Sequence, residues 1–153
     1  MKKIICFIIC LFLPVSAFAV SDLDVMIYGH NMHTSVCGAQ ELTGSPIIND
    51  EKGTATFDLN DKLHDIFFIK NGEVTGFGCV CQDQAQESEF LAQCITACYN
   101  FGGTVDTIYD PILSQFMFAR AGSPLGRTSE IPGMLFSISK ESYGYVFIMS
   151  LVK

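Results

Sequence analysis

The dipeptide Asn71-Gly72 stands between two apolar-rich runs, residues 63–70 and 73–82, and it constrains the fold more than any other feature of the chain. Asn-Gly favours a two-residue type I′ turn, because both central residues take positive φ and the turn's twist matches that of the strands it joins. So short a turn also sets a register. Lys70 faces Glu73, Ile69 faces Val74, Phe68 faces Thr75, Phe67 faces Gly76, Ile66 faces Phe77, Asp65 faces Gly78 and His64 faces Cys79. Alternation then puts Ile66, Phe68, Phe77, Cys79 and Cys81 on one face, and Leu63, Phe67, Ile69, Val74 and Val80 on the other. Both faces are largely apolar, so the hairpin is expected at the centre of a sheet and covered on both sides. Gly76 and Gly78 leave room for the Phe67 ring to lie across the neighbouring strand.

The second strand of this hairpin opens the densest cysteine cluster, Cys79-x-Cys81 followed by Cys94-x3-Cys98. Phe90, Leu91, Cys94, Ile95, Cys98 and Phe101 recur at helical spacing, which predicts a helix over 88–101. Ser88 is positioned to cap it, with Asp83 as a rival, and Gly102-Gly103 to stop it. Two cysteines two apart on a strand share a face with Cβ atoms roughly 6–7 Å apart. Two cysteines four apart on a helix share a face at roughly 6 Å. A disulfide needs about 3.5–4.5 Å, so neither pair closes at home, but the pairs match each other. The expectation is a staple, with the nested pairing of Cys81 with Cys94 and Cys79 with Cys98 favoured and the crossed pairing left open. A four-thiolate zinc site and a redox Cys-x-Cys are the weaker readings in an oxidising compartment.

That compartment is inferred from the N-terminus. Met1-Lys2-Lys3, an apolar run over 4–13 and Ala17-Phe18-Ala19 have the layout of a secretory signal peptide cut after Ala19. Residues 1–19 are therefore read as a leader and 20–153 as one secreted domain, periplasmic or extracellular and bacterial in style. The chain carries a net charge of −7. The leader holds two of its lysines and none of its acids, so cleavage moves the charge to −9. Such a surface repels phosphate backbones and anionic membranes, which argues against nucleic-acid binding and against stable membrane insertion after cleavage. Residues 145–152 lack clean alternation, which argues against a β-barrel strand.

The remaining elements are expected as follows. Residues 23–28 read as a strand, since Leu23, Val25 and Ile27 alternate. Residues 30–44 have no apolar period and read as a loop. Residues 46–48 and 54–59 form a hairpin, as do 134–139 and 145–152. Residues 105–109 and 115–119, separated by Asp110-Pro111, read as strand or short helix, and 122–133 as a loop. The fold class is thus α+β: an antiparallel sheet with one main helix packed on a face, disulfide-stapled. The sheet's second face awaits cover from the C-terminal strands or from another subunit.

No catalytic motif, metal-ligand spacing or phosphate loop is present, and no cofactor is assigned. The one polar cluster with chemistry to offer is His30-x2-His33-x3-Cys37, which could supply a nucleophile and base or bind a metal. The leading expectation is non-enzymatic binding of a protein or glycan, with oligomerisation left open. A cysteine-dependent enzyme or a metal-binding protein using His30, His33 and Cys37 is the alternative.

Overall fold

The computed structural model describes residues 21–122 and 129–152, and the expected leader and its cut lie outside them. Helix α1 (Asp22–Cys37) is followed by strands β1 (Ile47–Asn49), β2 (Thr54–Asn60), β3 (Leu63–Lys70) and β4 (Glu73–Cys81). A 3₁₀ turn at Gln84–Gln86 leads into α2 (Glu87–Asn100) and then α3 (Val105–Arg120). Strands β5 (Ser129–Ile131), β6 (Met134–Glu141) and β7 (Gly144–Leu151) complete the described chain. The strands form one antiparallel sheet in the order β1-β2-β3-β4-β7-β6-β5. The architecture is α+β, with three α-helices among the described residues rather than one main helix.

The central hairpin forms as expected, with Asn71 at φ 54° and Gly72 at φ 81°. Its register holds only near the turn. Ile69 pairs with Val74, but Phe68 then pairs with Gly76, so Thr75 is an extra residue in β4. A bulge of this kind shifts every later pair by one and exchanges the faces. Phe67 therefore pairs with Phe77, Asp65 with Cys79 and Leu63 with Cys81, while His64 meets Val80. It is Phe68, not Phe67, whose ring lies over Gly76 and Gly78.

The inner face carries a row of phenylalanines across five strands. Phe57, Phe67, Phe77, Phe147 and Phe136 follow one another with centroid separations of 6.1, 5.2, 6.3 and 5.9 Å. Edge-to-face contacts such as Phe67–Phe77, at 76°, suit the ring quadrupole. The three helices cover this row. Tyr145 ties the sheet to the start of α2 by donating to Glu87 Oε1 at 2.8 Å. The C-terminal strands extend the sheet beside β4 and leave its outer face open, so they do not supply the cover expected of them.

Residues 23–28 belong to a helix, not a strand. Ser21 Oγ accepts from the Asp24 amide at 3.1 Å and the Asp24 carboxylate accepts from the Ser21 amide at 3.2 Å, a capping box. Gly38, at φ 73°, ends the helix. The polar stretch read as a loop supplies its last two turns. The segment beyond it is tied down by polar groups. Asn31 donates to Leu42 O at 3.0 Å and accepts from Leu42 N at 2.8 Å, and Gln93 donates to Gln40 O at 3.0 Å.

Residues 105–120 are one helix despite Pro111. Ile108, Ile112, Phe116 and Ala119 bury a continuous stripe, which outweighs the hydrogen bond that proline cannot donate. The second hairpin, β6–β7, forms where expected.

The disulfide staple is absent. Cys79, Cys81, Cys94 and Cys98 are all buried free thiols. Cys79 and Cys81 share a face, but the Thr75 bulge sets them with Leu63, Asp65 and Phe67 and not with Ile66 and Phe68. The thiols meet other partners than those expected. Cys94 lies against Cys79, and Cys98 passes beyond β4 to donate to Met149 Sδ at 3.7 Å. Cys81 turns away to donate to Asp83 O at 3.0 Å, beside the 3₁₀ turn that delays the start of α2.

Candidate functional site

His30, His33 and Cys37 share the inward side of α1 but enter three different surroundings. His30 is fully buried, 6.3 Å from the Phe77 ring, and burial pushes its pKa down to about 4. Its Nε2 meets Gln40 O at 3.4 Å and its Nδ1 has no hydrogen-bond partner among the described residues. His33 packs on Tyr99 at 5.7 Å. Cys37 opens into an apolar hollow between the helices. A base that activates a thiol must reach it and titrate near neutrality, and His30, held neutral within the core, is placed for packing. Among the described residues no three His, Cys, Asp or Glu side chains converge on a metal position.

The second cluster lies under α2. Asp65 is fully buried between β3 and β4 with its register partner Cys79, and Cys94 and Cys98 lie above. Burial pushes the Asp65 carboxyl up to about 7, and it raises the Cys79, Cys94 and Cys98 thiols above their ordinary range. Thiolate is the nucleophile and metal ligand, so this environment makes the sulfurs inert. Cysteine spacing identified these residues, but nothing in the sequence marked Asp65.

A hollow of 530 Å³ lies at the β3–β4 turn and is lined by Lys70, Asn71, Glu73, Thr75, Ser150 and Leu151. Its lining holds one cation, one carboxylate and two hydroxyls, but no thiol, no histidine and no second carboxylate.

The outer surface of the helices is different in character. Two contiguous hollows of 230 and 300 Å³ share Cys37, Ile95 and Tyr109. They merge into a trough floored by Leu91, Ile95 and Tyr99 of α2 and walled by Val36 of α1 and by Val105, Tyr109 and Leu113 of α3. The walls continue as exposed apolar stripes. On α1 they are Val25, Tyr28, Met32 and Val36, the last 75% exposed. On α3 they are Val105, Tyr109, Leu113 and Met117, with Val105 60% exposed. Each stripe advances by three or four residues, so each helix is apolar on two sides. A monomer seldom exposes a continuous apolar patch of more than a few hundred Å².

No charged residue lines the trough, and the helices that form it are acidic overall. Across α1, α2 and α3 there are six acids, Asp22, Asp24, Glu87, Glu89, Asp106 and Asp110, no lysine, and a single arginine. That arginine, Arg120, lies 3.7 Å from Glu87.

The outer sheet face is also open, but less apolar. Leu135 and Ile148 are exposed there, Ile66, Phe68, Val80 and Val146 are partly exposed, and Thr54, Thr56, Ser137, Ser139 and Ser150 are interleaved with them.

Among the described residues no helix is long and apolar enough to cross a membrane. No protein-family model, curated protein or solved structure matches the chain.

Proposed function

We propose that the chain is a secreted or periplasmic, non-enzymatic protein-binding domain that binds through the outer surface of its helix layer. The observation that carries this reading is the apolar trough along α2, flanked by exposed stripes on α1 and α3. Burial of apolar surface is the main driving force of protein association. Aliphatic floors with few hydrogen-bonding groups suit a protein side-chain ridge better than a glycan, whose hydroxyls need polar partners. The enzyme alternative pairs the Cys37 thiol with His30 or His33; His30 lies in the core and His33 packs on the Tyr99 ring.

The reading is tested by placing a photo-crosslinking side chain at Met32 or Leu113 and, as control, at Lys52 on the β1–β2 loop. In the producing cells a discrete protein adduct is expected from the trough positions only. No adduct, or the same adducts from Lys52, overturns it.

A further inference from the structure

We infer that the partner offers the trough a basic amphipathic helix; this rests on the protein-binding reading and names the class of partner. The first argument is charge. Of the six acids on the three helices, Asp22 accepts from the Val74 amide, Asp24 from Ser21 and Glu87 from Tyr145, whereas Glu89, Asp106 and Asp110 adjoin the lining residues Ser88, Val105 and Tyr109 in sequence, and no lysine or arginine lines the trough. Opposed potentials steer encounter and select partners, whereas like charges exclude them. A partner with an apolar ridge flanked by lysine or arginine meets both the floor and the rim. A second copy of this chain would bring one acidic rim against another.

The second argument is dimension. The α3 stripe from Val105 to Met117 rises roughly 18 Å, and the α1 stripe from Val25 to Val36 rises nearly as far, at about 1.5 Å per residue. Three to four turns of helix match that length, and an apolar helix face laid in a groove is a recurrent recognition mode. The exposed apolar surface of the stripes and floor is on the order of 900 Å², close to the ~800 Å² each partner buries in a standard interface. Apolar contact thus supplies affinity, and the acidic rim supplies orientation and choice of partner.

The test uses a fluorescent synthetic peptide four turns long, built of Leu and Lys in an amphipathic helical pattern, and a counterpart with Glu in place of Lys. Anisotropy of each is followed against the full chain at low and high salt. The Leu/Lys peptide is expected to bind, and to weaken with salt. Its affinity is expected to fall by about tenfold on the exposed changes Val36→Lys or Asp106→Asn with Asp110→Asn, whose melting curves should match the parent's. Equal binding of the two peptides, or no effect of the substitutions, overturns the inference. So does light scattering that finds a dimer dispersed by Val36→Lys, or trough-dependent binding to uncharged phosphatidylcholine vesicles. A trough-specific protein adduct together with a silent Leu/Lys peptide would overturn the basic helix and leave protein binding standing.

Discussion

Asp65 and Cys79 face each other across β3 and β4 with no exposed surface, and neither carboxylate oxygen has a well-formed hydrogen bond among the described residues. A core carboxyl of this kind must stay protonated to be tolerated. Its pKa of about 7, against an ordinary 3.8, follows first from burial. Between those values the folded chain keeps a proton that the unfolded chain has lost. Stability therefore falls as pH rises through this window, by roughly 4 kcal/mol in total.

His30 works in the opposite direction. Its folded pKa of about 4 lies below the ordinary 6.5, so the unfolded chain takes a proton that the folded chain refuses. Its contribution is lost as pH falls from about 6.5 to about 4, by roughly 3 kcal/mol. The two slopes nearly cancel. Asp65→Asn should unmask the histidine, making stability relative to the parent fall from pH 7 to pH 4, whereas His30→Gln should unmask the carboxyl and gain relative stability in acid. Urea unfolding at both pH values reads the result; identical pH profiles for parent and variants would contradict it.

The buried thiols make a second expectation. Of the five cysteines among the described residues, only Cys37 is not fully buried. Iodoacetamide on the native chain should modify Cys37 and spare Cys79, Cys94 and Cys98, while denatured chain should be modified at all of them. Mass spectrometry of the peptides distinguishes this from general accessibility.

The two glycines beneath Phe68 should respond unequally to alanine. A Cβ on Gly76 would stand 2.3 Å from the carbonyl oxygen of Met149, which is backbone and cannot step aside. A Cβ on Gly78 meets nothing closer than the Phe68 ring at 3.3 Å. Gly76→Ala is expected to cost about 1–3 kcal/mol and Gly78→Ala under about 1 kcal/mol. Equal midpoints in urea would show that β4 and β7 separate more easily than their register implies.

Asn31 fixes the segment after α1 by holding both backbone groups of Leu42. Asn31→Ala leaves those groups without that partner and should cost about 1–3 kcal/mol. Faster amide exchange over residues 38–46 is expected, with the central hairpin unchanged; uniform exchange would place the anchor elsewhere.

The parts of the fold that were legible share one property: their signal is local. Asn71-Gly72 dictates its own turn, and the apolar positions from Phe90 to Cys98 dictate the face of α2. What was illegible depends on distant partners. The inward side of α1 includes His30 and Thr34, polar residues that Gln40 and Asn31 receive, so its apolar period is broken. The bulge at Thr75 leaves no mark, because one inserted threonine looks like any strand residue, yet it reverses which side chains share a face. Cysteine spacing specified which thiols share an element's face but not which side chains they meet across the core: Cys98 meets Met149 and Cys81 meets Asp83 O. The trough was legible in part. Val105, Tyr109, Leu113 and Met117 recur every four residues, but Asp110-Pro111 divided the pattern before it could be read as one helix.

The strand order has a consequence for how copies of this molecule avoid one another. Both outermost strands are three residues long, and each covers only part of its neighbour. The free stretch of β2 carries Asp58 and an irregular register between Asp58 and Asn60; the free stretch of β6 ends in Lys140 and Glu141. Charges and broken register are poor templates for an added strand. A seven-stranded sheet with sides blunted in this way resists stacking into ribbons, leaving its broad surfaces as the route by which anything else can join it.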